Sequence, residues 1–135
     1  MRKKIGLVAG LAATVLAGCG GLGVGSVAEG RAVYHERCVM CHGPGGKGDG
    51  DFAKELIKMP TDLTILAREN GGEFPRLWAI ETIDGHARGR HFSGAMPEFG
   101  PLLTEGQMLE SGAGQVTPAP AQLVAVVDYL ESIQE

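Results

Sequence analysis

Cys38-Val39-Met40-Cys41-His42 is the segment of this chain whose chemistry is nearly fixed by its spacing. Two thiols separated by two residues, with a histidine directly after them, form the attachment pattern of a c-type haem. The thiols bond to the porphyrin, and the imidazole reaches the iron from one face. The other interpretation is a dithiol or a partial metal site. The sequence disfavours it, because no second cysteine pair completes a zinc site and no strand pattern precedes the motif.

The first 18 residues have the pattern of a secretory signal. A basic start at residues 2–4 precedes an uncharged run at 5–18, which is too short for a spanning helix of about 20 apolar residues. The run ends in Leu16-Ala17-Gly18-Cys19, which resembles the lipobox of bacterial lipoproteins, whose cysteine is acylated. The alternative is an ordinary signal that leaves Cys19 as a free thiol. Both interpretations predict export, and the first predicts a lipid anchor on the periplasmic side of a bacterial membrane.

Cysteine count and charge restrict the remaining possibilities. With lipid on Cys19 and haem on Cys38 and Cys41, no thiol is left for a disulfide. The mature chain would be residues 19–135, one domain by length. The whole chain has 12 basic and 16 acidic residues, and removal of three basic residues with the signal changes the net charge from −4 to −7. Such a charge is unsuited to nucleic acid and favours a partner with a basic patch.

Two terminal helices are predicted to bracket the folded part. Residues 19–25, mostly glycine, form a flexible tether. Ser26-Val27-Ala28-Glu29 then has the pattern of a capping box, and opens a helix running into the haem motif. Near the other end, Thr117-Pro118-Ala119-Pro120 suits a helix start with both prolines in the first turn. An apolar stripe at helical spacing follows it: Leu123, Val126, Val127 and Leu130.

Shorter helices are predicted between them. Residues 62–69 and 75–83 have helical patterns and are ended by Gly71 and Gly85. The glycine-rich stretch 43–50 lacks the Gly-Lys-Ser/Thr ending of a phosphate-binding loop and is not preceded by a strand. We expect its glycines to let the backbone pass close to the porphyrin edge.

Over residues 26–135 the chain resembles the class I c-type cytochromes, in which a glycine and an aromatic on the first helix cross an aliphatic and an aromatic on the last. Gly30 and Tyr34 match the first pair, and Val126 and Tyr129 match the second. The resemblance implies an all-α fold of short helices around one covalent haem c. It gives these four residues a packing role only.

The second axial ligand has to come from the far face of the haem. His35 and Met40 are tethered to the near face by the adjoining motif. The remaining candidates are Met59, His86, His91, Met96 and Met108. Family members commonly take a methionine from a glycine- and proline-containing loop, often directly before a proline. Met96 in Gly94-Ala95-Met96-Pro97 matches, so the resemblance implies His42 and Met96 as axial ligands, with His86 or His91 or an open position as alternatives.

The resemblance also implies groups around the ligands. A proline carbonyl preceding a leucine orients the ligand histidine in the family, and Pro60 ahead of Leu63 matches it, with one residue more between them than is usual. The alternative for Pro60 is a helix-start role. Trp78 either reaches a haem propionate or is a packing residue. Arg88 and Arg90 either pair with propionates or are solvated.

The function implied by the resemblance is single-electron transfer between redox proteins by a non-enzymatic monohaem cytochrome, with no small-molecule substrate. Ligation by histidine and methionine raises the reduction potential, because a thioether favours ferrous iron. A haem enzyme of the peroxidase kind and a haem-based gas or redox sensor are the alternatives. Both require an open or labile sixth position.

Overall fold

The computed structural model describes residues 25–85, 95–103, 108–110 and 118–135, with the backbone alone for 108–110 and 118. Its α-helices in chain order are α1 (Val27–Arg37), α2 (Val39–His42), α3 (Leu66–Glu69), α4 (Arg76–Asp84) and α5 (Ala121–Ser132). Single 3-10 turns cover Asp51–Glu55, Leu63–Ile65 and Gly100–Leu102. The strands β1 (Met108–Glu110) and β2 (Pro118–Pro120) pair antiparallel. The predicted all-α class is confirmed, with this short ribbon as an addition.

The first helix begins with the predicted capping interaction. The Ser26 hydroxyl oxygen accepts a hydrogen bond from the Glu29 amide at 3.2 Å. The Glu29 carboxylate accepts one from the Gly25 amide at 2.8 Å, one residue before the N-cap itself. Two backbone donors at the start of α1 are therefore satisfied by side chains.

The crossing of α1 and α5 forms the centre of the core, as the sequence predicts. A Cβ atom on Gly30 would overlap the carbonyl oxygen of Ala125, so only glycine allows this approach of the two backbones. Beside it, the rings of Tyr34 and Tyr129 lie 5.2 Å apart between centroids with a 54° tilt. Tyr34 and Val126 are almost completely buried. The crossing fixes the first helix, and hence the motif that follows it.

The start of α5 differs from the prediction. The helix begins at Ala121 with Pro120 as its N-cap, and the two prolines lie in β2 rather than in the first turn. A residue before a proline is disfavoured in helical conformation, and Ala119 precedes Pro120. An antiparallel ladder uses the amides of alternate residues, so two prolines spaced by one residue can both occupy positions that need no donor.

The short helices lie close to their predicted positions. The segment predicted as a helix over 62–69 divides into the turn Leu63–Ile65 and α3, with Asp62 as the N-cap. The next helix, α4, ends at Gly85, whose φ of 104° is the left-handed conformation expected of a glycine C-cap. It packs on α5, and Arg76 near its start forms ion pairs with Asp128 and Glu131 of α5.

None of the helices in the described part of the chain combines the length and apolar character that crossing a membrane requires. The predicted signal and lipobox, and residues 19–24 of the tether predicted over 19–25, lie outside the described residues.

Candidate functional site

A cleft opens between the Cys38–His42 motif and the segment around Met96. Its volume is about 850 Å³, including the part open to solvent. Cys38, Cys41 and His42 line one side, and Ala95, Met96 and Pro97 line another. The two predicted thioether positions and the two predicted axial ligands therefore face one space.

A second, smaller space of about 540 Å³ continues the cleft towards the core. Its lining includes Cys38, His42 and Met96 again, whereas Cys41 lines the larger space and not the smaller. The other lining residues are mostly core side chains from α1, α4 and α5 and the segment 63–66: Tyr34, Leu63, Leu66, Ala79, Ile83, Val126 and Leu130. The inner wall is therefore predominantly apolar, as a planar aromatic cofactor requires.

The motif is held to the rest of the fold by hydrogen bonds on both of its sides. The Tyr34 hydroxyl donates to the Gly43 carbonyl at 2.6 Å, which connects the buried face of α1 to the residue after His42. The His42 carbonyl accepts from the Gly48 amide at 2.9 Å. Burial raises the pKa of Tyr34 first of all, with a smaller contribution from Cys38. The hydroxyl therefore remains a donor throughout the neutral range.

The His42 ring is oriented by a backbone carbonyl. Its Nδ1 lies 3.1 Å from the Thr61 carbonyl oxygen. A carbonyl only accepts, so Nδ1 carries the proton and Nε2 keeps its lone pair. Burial lowers the pKa of His42, and the Thr61 hydrogen bond offsets this in part. Burial thus favours the neutral imidazole, which is the form that binds a metal.

The identity of this carbonyl corrects one prediction. The residue that accepts from His42 is Thr61, not Pro60. The position is set by distance from Leu63, whose amide donates to the Gly46 carbonyl at 2.7 Å. Because the chain has one residue more than usual between proline and leucine, the carbonyl two residues before Leu63 belongs to Thr61.

Pro60 has a different neighbour. A Cβ on Gly48 would overlap the Pro60 carbonyl oxygen, so the glycine-rich loop and the segment 60–63 pass each other with their backbones in contact. Gly48 is therefore required by the protein's own backbone. The expected approach of the glycine-rich stretch to the porphyrin edge stays a prediction.

The Cys38 thiol is not typical of a redox dithiol. Burial raises the pKa of Cys38 to about 12, with a further contribution from the neighbouring Cys41. Reactive cysteines have lowered pKa values instead. Within the described residues, no group of three or more His, Cys, Asp and Glu side chains could hold a metal ion. Neither alternative to haem attachment gains support from the described part of the chain.

Met96 is partly buried and packs against the core cluster. The segment that carries it is joined to α4 through Phe99, whose amide donates to the Ile83 carbonyl at 3.0 Å and whose ring is buried. Met59 also lines the outer cleft, but its side chain is 62 % exposed. Of the other candidates, His86 and His91 lie outside the described residues, as does the side chain of Met108.

Of the three predicted propionate partners, the structure describes one. Trp78 lines both spaces and is 49 % exposed, and its two alternative roles stay predictions. Arg88 and Arg90 lie outside the described residues. Arg37 and Lys58 line the outer cleft and were not predicted. Arg37 immediately precedes the motif, which is the sequence signal that could have identified it.

The residues present fit a covalently attached haem. Two unpaired thiols, an imidazole with its Nδ1 already engaged and a thioether all line one predominantly apolar cleft. Two cationic side chains at the outer part could neutralise carboxylates. These are the group types that hold a c-type haem.

Comparison with known proteins supports the same conclusion. The family model described as "Cytochrome C oxidase, cbb3-type, subunit III" matches residues 25–110, well over half of the chain. The match includes both the motif and the Met96 segment. No curated protein and no solved structure matches this chain.

Proposed function

The chain belongs to the family described as cytochrome c oxidase, cbb3-type, subunit III, and we propose that it carries single electrons between redox partners outside the cytoplasmic membrane. It is a c-type cytochrome with covalently attached haem c, an electron-transfer protein rather than an enzyme, and its partners are redox proteins. The family name describes a subunit of an oxidase. For this chain the donor and acceptor are proposed by class alone.

We assign the attachment of a single haem to Cys38 and Cys41, and its axial ligation to His42 and Met96. The observation that carries this proposal is that all four side chains line one cleft. When bound, the haem iron supplies a one-electron couple between its ferric and ferrous states. The Thr61 carbonyl holds the His42 ring by its Nδ1 proton, and core side chains give the inner space a predominantly apolar lining.

Met96 provides the direct test of this assignment, with Met59 as a matched control in the same cleft. We expect Met96→Ala to open the far side, so that the ferrous protein binds carbon monoxide readily. The reduction potential should fall, because the thioether that favours ferrous iron is lost. Met59→Ala should leave the spectrum and the potential as in the wild type.

Two outcomes would contradict the assignment in different ways. If Met96→Ala keeps the wild-type spectrum while a substitution of His86 or His91 loses it, ligation is by two histidines and electron transfer survives. If the wild type itself binds carbon monoxide or peroxide rapidly, the sixth position is open. The protein is then a haem enzyme or a gas sensor.

We further propose that Cys19 is acylated and anchors the protein on the periplasmic side of a bacterial membrane, with residues 1–18 removed. A single acyl chain binds a membrane only marginally, so several chains are required. Labelled palmitate should enter the wild type but not Cys19→Ala, and the wild type alone should partition with membranes. Unlabelled wild-type protein in the soluble periplasmic fraction would favour the ordinary signal.

The net charge of −7 for residues 19–135 supports a partner with a basic docking patch. Association rates with such a partner should fall steeply as salt is added, because the attraction between exposed charges is screened. A rate that is independent of salt would contradict a basic docking patch.

A further inference from the structure

The chain that follows α5 returns to the segment that orients His42. Both polar atoms of the Gln134 side-chain amide form hydrogen bonds in this contact. Its Oε1 accepts from the Ala67 amide at 2.9 Å, and its Nε2 donates at 2.7 Å to the carbonyls of both Leu63 and Leu130. One side chain thus joins the C-terminal turn of α5 to both ends of the 63–67 segment.

Neighbouring contacts fix the same segment. The Glu135 amide donates to the Thr64 carbonyl at 2.8 Å, and the Leu63 amide donates to the Gly46 carbonyl at 2.7 Å. Leu63 is two residues after Thr61, whose carbonyl accepts from the His42 ring. The position of the Thr61 carbonyl therefore depends on the hydrogen bonds that hold Leu63. Gln134, which follows α5, donates one of them.

We infer that Gln134 is a positioning residue for the His42 ligand, acting through Leu63 on the Thr61 carbonyl. The inference rests on the proposed ligation of haem by His42. Groups that hydrogen-bond to a ligand histidine fix its ring and increase its basicity. A more basic imidazole stabilises ferric iron, so the carbonyl lowers the reduction potential as long as it is held in place.

The test compares holoprotein variants at the end of α5. Gln134→Met keeps the length of the side chain and removes all three hydrogen bonds. The matched control is Ser132→Ala, which removes the hydrogen bond from the Ser132 hydroxyl to the Tyr129 carbonyl, a contact within α5. We expect Gln134→Met to raise the reduction potential and Ser132→Ala to leave it unchanged.

A second measurement reports on the hydrogen bond itself. The exchange of the His42 Nδ1 proton with solvent, followed by NMR in the ferrous protein, should become about fivefold faster in Gln134→Met, the factor that corresponds to a typical hydrogen bond. Gln134→Lys keeps donors towards the Leu63 and Leu130 carbonyls, loses the acceptor for Ala67 and adds a positive charge. The added charge changes the reduction potential by itself, so for this variant only the exchange rate is compared. That rate should lie between those of the wild type and Gln134→Met, and it tests the inference if Gln134→Met does not fold.

A variant that unfolds more easily but keeps the wild-type potential and exchange rate would overturn the inference, since Gln134 would then be structural only. Failure of the proposed function has a different signature. It would appear in the wild type, as absence of covalent haem or of His42 ligation, before any variant is compared.

Discussion

The two sides of the cleft are built in different ways. On the near side, His42 belongs to a continuous segment whose backbone and side chains are connected to α1, to the glycine-rich loop and to the 61–67 segment by hydrogen bonds of 2.6–3.1 Å. On the far side, Met96 depends on tertiary packing. Phe99 connects its segment to α4, and Met96 packs on the core. On the near side, local spacing determines which residues form the motif and tertiary hydrogen bonds orient its histidine, whereas on the far side the position of Met96 depends on packing alone.

The largest effect is expected on the near side. The double variant Cys38→Ala, Cys41→Ala should contain almost no covalently bound haem, because both attachment points are lost while the cleft and Met96 remain. Haem staining after denaturing electrophoresis measures this directly. A normal yield of stained protein from the double variant would show that the motif is not the attachment site.

The next effect tests the crossing on which both sides depend. Gly30→Ala should destabilise the protein by about 2 kcal/mol or more, because the new methyl group overlaps the Ala125 carbonyl and the helices must separate. Gly45→Ala is the control. Its Cβ would meet its nearest neighbour, the Lys47 Cγ, at 3.9 Å, and the change should be within about 0.5 kcal/mol. Chemical unfolding of both holoproteins gives the comparison. Equal stabilities would contradict the close approach of α1 and α5.

The sequence predicts some parts of the molecule better than others. The motif and the start of α1 follow from spacings of a few residues, and the crossing of Gly30 and Tyr34 with α5 follows from the family resemblance; the structure has all three where they are predicted. The resemblance also implies Met96, through its loop of glycine and proline, and Met96 lines the cleft with His42. Its role as ligand stays a prediction.

The two incorrect predictions, the Pro60 carbonyl and the start of α5, concern positions that are set by contacts with residues distant in the sequence. Thr61 replaces Pro60 because the carbonyl is positioned from Leu63, which is fixed by Gly46 and Gln134 rather than by its own neighbours. The helix α5 begins after both prolines, later than predicted, because Pro118–Pro120 pairs with the strand at 108–110. Neither partner is visible in the local sequence.

A smaller effect sharpens the account of the near side. Tyr34→Phe keeps the ring against Tyr129 but removes one of two hydrogen bonds to the Gly43 carbonyl, which still accepts from the Gly46 amide at 3.2 Å. We expect a loss of about 0.5–1.5 kcal/mol in the free energy of unfolding, the net contribution of a typical hydrogen bond. Thermal unfolding of the holoprotein measures it. Unchanged stability would show that this hydrogen bond does not hold the motif to α1.

The smallest effect concerns Asp62, which caps the turn carrying Leu63. Hydrogen bonds from the Thr64 hydroxyl and amide lower the pKa of Asp62 below its usual value. A lowered pKa contributes stability above the unfolded-state value of about 3.9, and that stability is lost as the pH falls through the folded-state value. Asp62→Asn still caps but does not titrate, so it should cost less than about 1 kcal/mol at neutral pH.

The stability of the Asp62→Asn variant should also fall less steeply than that of the wild type below about pH 4. Unfolding curves measured at several pH values for the two proteins make this comparison. Parallel acid curves would contradict the capping role of the carboxylate.

The absorption spectrum of the unaltered holoprotein tests the central claim most directly, because it reports both sides of the cleft at once. The account predicts a low-spin, six-coordinate haem in both oxidation states. The oxidised protein should show the long-wavelength band of a methionine–iron bond, and the reduced protein should bind carbon monoxide slowly. A high-spin spectrum with rapid binding of carbon monoxide would contradict the account, because the far side would then supply no ligand.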